Sequence, residues 1–273
     1  MSIPGGFESP EVTFVESWND YSEILTRSLG EFFSTDYVFR GQRSSEHRLE
    51  SSFDRRFKGL SSERRRAIAR NLEEVFRDTA LRNEIISSER ISVDLGLCQH
   101  YGLATRLLDW SESRYVAAFF AFAGLEAQYL SSLDAEADDH HFVSVFALDV
   151  ASPVCDDERL EVIRPEYSPS SDRLRRQRGL FTLNKTEYSS LEEYSERYLL
   201  DNPDDCKRAP LVRFDIPVSE ARKALRDLHE MRISHSELFP GFEGVAKETM
   251  LAEWLSRPLK VSRKGVAPGL TAR

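Results

Sequence analysis

Residues 114–130, RYVAAFFAFAGLEAQYL, are apolar almost all the way round a helix. Such a helix has to be covered on every side, so it predicts a central buried helix within a chain large enough to enclose it. The chain supplies that cover. At 273 residues it can bury roughly three quarters of its unfolded surface without staples. Two segments read as strands to pack against the helix. In 35–42, alternation puts Tyr37, Phe39 and Gly41 on one face and Val38, Arg40 and Gln42 on the other. Residues 141–150, HFVSVFALDV, are apolar on both faces, as an interior strand should be.

Other segments follow the same logic. Helices are predicted over 19–33, 63–81, 219–231 and 242–255, with a short one over 92–101 that stops at Gly102. In 63–81 the expected buried stripe is Ile68, Leu72, Val75, Phe76 and Thr79, with Arg64, Arg65 and Arg66 facing water. In 219–231 the inward set is Ala221, Ala224, Leu225, Leu228 and Met231. Ser111 is the expected cap of the central helix, with Glu112 in its first turn. Residues 103–111 read as a tight extended passage, 180–183 and 211–216 as further strands, 134–139 as a solvated acidic loop and 151–172 as a long loop with short structure. No repeat or linker divides the chain. The expected fold is therefore α+β, a single mixed domain over 11–258 with a central β-sheet flanked by helices. Residues 1–10 and the basic stretch 259–273 read as flexible ends.

Composition narrows the function. A net charge of −9 excludes a wholly basic nucleic-acid coat but permits a local basic patch. Arginine greatly outnumbers lysine, and its planar fork suits phosphate and carboxylate; a general arginine bias would give the same count. Cys98, Cys155 and Cys206 are odd in number and widely spaced, which argues against a disulfide framework. With six dispersed histidines, no metal is expected. No apolar run reaches about 18 residues, so no membrane span is expected, and a cytoplasmic location is the default. P-loop, G-x-G-x-x-G, G-x-S-x-G and H-E-x-x-H patterns are missing.

Four stretches could carry chemistry. The first is Phe39-Arg40-Gly41-Gln42. A guanidinium among apolar strand residues is costly to bury unless it meets an anion, and Gly41 allows close approach of a ligand or another backbone. Arg40 is either a phosphate or carboxylate clamp or half of a structural pair with Asp109. The second, from Gln99 to Ser111, packs His100, Thr105, Arg106, Asp109 and Trp110 into a dozen residues. Here His100 could shuttle a proton or simply cap or fill the core, and Arg106 could hold a phosphate with Asp109 as orienter. Trp110 could stack a base or belong to the core. In the third, 172–181, Arg173, Arg175, Arg176 and Arg178 surround Gln177; it reads as an anion-facing edge or a solvated basic loop. The fourth is a Pro240-Gly241 turn before the last helix, with Glu243 either capping that helix or acting at a site.

Together these stretches resemble the FRG domain family, named for its Phe-Arg-Gly tripeptide. The likeness runs from about residue 37 to 255. It lies in Phe39-Arg40-Gly41-Gln42, in Gln99-His100-Tyr101-Gly102 through Thr105-Arg106-Leu107-Leu108-Asp109-Trp110, in the Ala117–Phe120 helix, in Gln177-x-Gly179-x-Phe181 and in Leu238-Phe239-Pro240-Gly241 to Gly244. Phe242-Glu243 stands where the family usually has Leu-Asp. The resemblance implies a prophage or antiphage-defence setting but no defined reaction. A fainter likeness, to arginine-class ADP-ribosyltransferases, implies NAD as substrate. By that likeness Arg40 would grip the pyrophosphate, Thr105 would hold the nicotinamide ribose region, and Gln177 or Glu243 would polarise the ribose hydroxyl. The expected partner is a nucleotide or other polyanionic ligand. The alternatives are a nucleic-acid module, with Arg40, Arg106 and the 173–178 arginines on phosphates and His100 cleaving RNA without metal, and a non-catalytic interaction domain. The sequence leaves the oligomeric state open.

Overall fold

A computed structural model of the chain describes residues 10–30, 36–83, 95–125, 141–156, 158–165 and 172–256. Expectations for the two chain ends, for Ser92 and for 134–139 fall outside those residues. Among these residues seven strands form one sheet: β1 (Glu11–Phe14), β2 (Tyr37–Gln42), β3 (Leu107–Ser111), β4 (Phe142–Asp149), β5 (Leu160–Ile163), β6 (Gly179–Asn184) and β7 (Leu211–Pro217). Their order is β1-β7-β4-β2-β3-β6-β5, antiparallel except for the β1–β7 edge pair. The fold is α+β.

Alternation along β2 divides the core as the sequence predicts. Tyr37 and Phe39 join one apolar layer, and Val38 joins the other. The first layer is covered by α1 (Tyr21–Leu29), α5 (Arg114–Phe122), α8 (Ala221–Glu230), α9 (His235–Leu238) and α10 (Phe242–Ser256). The second lies under α7 (Leu191–Asp201) and the chain around Leu49, Val154 and Cys206, while the short α6 (Asp172–Arg176) leads into β6. In α5, Val116, Ala117, Ala118, Phe119, Ala121 and Phe122 are all buried. Each of the larger side chains contributes about 1.5–3 kcal/mol through burial.

Several local expectations are corrected. The cap of α5 is Ser113, whose hydroxyl accepts from the Val116 N–H at 3.3 Å. The Ser111 hydroxyl instead donates to the Gln177 carbonyl and accepts from Ser113 N–H. In α3 (Ser62–Arg82) the predicted stripe is not the buried face: Val75 is exposed, and Arg65 and Ala80 are buried. Arg65 turns inward because the carboxylate of Asp54, on the short helix α2 (Ser52–Arg56), meets it at 3.3 Å. Met231 lies beyond the end of α8 and is half exposed. The 191–201 helix carries no strong sequence signal, and its polar first turn hides an apolar set of Leu191, Tyr194, Tyr198 and Leu199. Cys98, Cys155 and Cys206 form no disulfide.

Candidate functional site

The site begins with a split in the sheet. β2 is paired with β4 at every residue from Tyr37 to Gln42, but with β3 only at Phe39 and Ser111. Continuing that antiparallel register would set Gly41 opposite Asp109. At that point Gly41 lies against α5 instead, so close that a Cβ would sit 2.1 Å from the Ala117 carbonyl oxygen. The ladder opens, and the side chain of Arg40 bridges the gap. Its Nη1 donates to the backbone carbonyl of Asp109 at 2.6 Å and lies 3.6 Å from the Asp109 carboxylate. A carbonyl left by an interrupted ladder needs a donor, and here the guanidinium provides one.

Asp109 is held from the other side. Gln99, on α4 (Leu95–His100), donates its amide to Asp109 Oδ1 at 2.8 Å. The Gln99 carbonyl accepts from the buried Thr105 hydroxyl, which itself accepts from Leu107 N–H. This chain of bonds fixes Asp109 although its side chain is 61% exposed. Burial is the largest influence on Arg40 and lowers its pKa; Asp109 opposes the shift, and the charge of Arg55 adds to it. The Arg40 Nε is buried and has no hydrogen-bond partner among the described residues.

Around this split lies a cleft of about 330 Å³. Arg40, Ser52, Arg55, Arg56, Gln99 and Asp109 are among its walls. Its three guanidiniums face two carboxylates, Asp109 and Glu50, and Glu50 lies 3.6 Å from Lys58. Ser52, Arg55 and Arg56 carry no signal in the sequence reading, and Gln99, which opens the second stretch, has no role in it. The signal available for α2 is the Ser51-x-x-Asp54 cap, in which the Ser51 hydroxyl accepts from Asp54 N–H at 3.0 Å. That cap sets one turn of helix and thereby turns Arg55 and Arg56 toward the strand split.

The remaining sequence-selected residues lie elsewhere. Arg106 is buried and spends all three nitrogens on the protein: Nε on Asp54, Nη1 on the Thr186 carbonyl at 2.9 Å and Nη2 on the Tyr188 carbonyl at 3.0 Å. Burial lowers its pKa, and Asp54 opposes this. Trp110 is a core residue whose indole donates to Thr182. Phe39 belongs to the α5 layer, and Gln42 donates to the Arg48 carbonyl. His100 is exposed and packs edge-on against Tyr101. Gln177 donates to the Leu238 carbonyl at 3.2 Å. Glu243 is exposed and pairs with Lys247; hydrogen bonding to that lysine is the main cause of its lowered pKa, with smaller effects from Arg173 and His100. The structure thus joins Arg40, Asp109 and Gln99 at one cleft, with Thr105 directly behind them. Gln177 and Glu243 do not line it.

Among the described residues, no cluster of three or more His, Cys, Asp or Glu could hold a metal ion, and no helix is long and apolar enough to cross a membrane. Comparison with known families matches residues 35–129 to the FRG domain. No curated protein and no solved structure matches the chain.

Proposed function

We propose, from the match of residues 35–129 to the FRG domain, that this segment binds a phosphate-bearing ligand in the cleft beside Arg40. One observation carries the reading: every wall residue of the cleft, from Arg40 to Asp109, lies inside the FRG segment, and three of those residues are arginines. Arg40 and Arg55 repel one another across the site. An anion between them relieves that repulsion and accepts charge-assisted hydrogen bonds. Asp109 and Gln99 hold Arg40 in place before the ligand arrives, which lowers the cost of binding.

Transfer of ADP-ribose would require a ribose-polarising group in the same cleft. Gln177 and Glu243 are turned to Leu238 and Lys247 instead, so the reading rests on binding alone. Arg175 and Arg176 are likewise paired locally, with Asp172, and do not extend the cleft into a phosphate track.

The test is calorimetric titration with pyrophosphate, ADP-ribose and NAD. Arg56 is exposed, so Arg56→Glu should leave the fold intact. Losing one charge-assisted contact, worth about 1.5–3 kcal/mol, should weaken pyrophosphate binding by about tenfold or more. Wild-type affinity in Arg56→Glu, or no heat from any of the three ligands, overturns the proposal.

A further inference from the structure

A second cleft, of about 300 Å³, lies between α7 and the turn after β6. We propose that it is a binding site for a mononucleotide, with a phosphate held by its basic rim and the base against Tyr188. Arg66, Arg159, Lys185 and Arg197 line it, and Glu187 and Asp201 are the lining carboxylates among the described residues. Each cation has a carboxylate neighbour: Arg66 with Glu187 at 3.4 Å, Arg159 with Asp156 at 3.1 Å, Lys185 with Glu161 at 2.8 Å and Arg197 with Asp201 at 2.8 Å. All four are surface pairs, and such pairs are weak enough to yield to a phosphate that offers several acceptors at once.

The floor is aromatic. Tyr188 and Tyr194 have ring centroids 6.2 Å apart at an interplanar angle of 30°, and the Arg159 guanidinium lies 5.5 Å from the Tyr198 ring. Tyr194 and Tyr198 are buried, and their hydroxyls are committed to the Val154 carbonyl and Asp205. Tyr188 is only partly buried, which leaves ring surface for a planar base. Asn202 donates its amide to the Tyr198 carbonyl at 3.0 Å, so its own Oδ1 remains an acceptor for a base edge.

The wall is also rigid. Arg106 holds the carbonyls of Thr186 and Tyr188, and Arg65 holds that of Glu187. A site fixed in this way loses little conformational freedom on binding. Its volume suits one nucleotide, at the lower end of the roughly 300–1,000 Å³ range of small-molecule sites.

The experiment titrates AMP, adenosine and ribose 5-phosphate into the Arg56→Glu chain, in which binding at the first cleft is already weakened, so that the Arg197 and Tyr188 variants report on the second. AMP should bind more tightly than either fragment. Arg197→Glu should weaken AMP by about tenfold or more through loss and reversal of one charge contact. Tyr188→Ala should weaken AMP about fivefold or more and leave ribose 5-phosphate unchanged, because only stacking is lost. Melting temperatures confirm that each variant is folded, and Tyr188→Ala serves if Arg197→Glu is not. No AMP binding, or wild-type AMP affinity in a folded Arg197→Glu or Tyr188→Ala chain, overturns the assignment and leaves the reading of the Arg40 cleft standing.

Discussion

Replacing Asp54 by alanine is expected to cost about 3–5 kcal/mol of stability, the penalty of leaving buried charge unmatched. The Asp54 carboxylate lies 3.3 Å from both Arg65 and Arg106, with all three side chains buried. Its Oδ2 also accepts from the Ser51 hydroxyl at 2.7 Å, which ties the charge network to the cap of α2. Removing the carboxylate leaves two guanidiniums facing each other without a counter-ion. Domains are held by only about 5–15 kcal/mol, so the loss is a large share of the total. Urea unfolding followed by circular dichroism measures it. A loss below about 1 kcal/mol would mean that water reaches both guanidiniums and that the network is not the buried unit described here. Both clefts should loosen together in this variant, because Asp54 stands beside the Arg55–Arg56 wall of one and, through Arg65 and Arg106, behind the 186–188 wall of the other.

Gly41→Val should be the second severe change. A Cβ at position 41 would meet two backbone atoms of α5, the Ala117 oxygen at 2.1 Å and the Ala121 nitrogen at 2.5 Å. Neither is the end of a flexible side chain, so β2 and α5 must separate. Overpacking of this kind costs about 1–3 kcal/mol and sometimes more, and contact with backbone places this case at the upper end. The separation also carries Arg40 away from Asp109. The expected result is a lowered melting temperature together with loss of pyrophosphate binding. A variant with wild-type melting behaviour would show that α5 is not seated on β2. The glycine at 102 has a different physical origin: its φ is +91° and nothing lies within 4 Å of an added Cβ, so it serves the backbone conformation after α4.

Local pattern made much of the scaffold legible. The alternation of β2, the continuous apolarity of β4 and the all-round apolarity of α5 each report an environment that neighbours in sequence share, and each element forms within that pattern; the helix expected over 114–130 ends sooner, at Phe122, because Ala123 turns extended and Gly124 takes a φ of +96°. Elements stabilised by distant partners were harder to see. Arg65 reads as a solvated residue until Asp54 is brought beside it, and β1 is a four-residue edge strand whose partner β7 lies some two hundred residues away in the chain. The site divides in the same way. Arg40 and Asp109 stand out as charged residues in apolar strands, and their contact was one of the two readings of Arg40. Arg55 and Arg56 have no such neighbours in sequence, and only the cap and direction of α2 bring them to the cleft. Arg106 had the opposite history. It stands in a stretch that gathers an imidazole, a hydroxyl, a guanidinium and a carboxylate, yet its guanidinium holds the fold together from inside.

The central claim is that Arg40 meets a phosphate-bearing ligand in the split between β2 and β3. The most direct measurement is the ¹⁵N NMR signal of the Arg40 side-chain Nε–H, identified by its disappearance in Arg40→Lys, recorded as pyrophosphate is added. The account predicts that this signal shifts progressively to saturation and that in Arg56→Glu about tenfold or more pyrophosphate is needed for the same shift. An Arg40 signal that stays fixed while pyrophosphate saturates the protein would place the anion elsewhere and contradict the account.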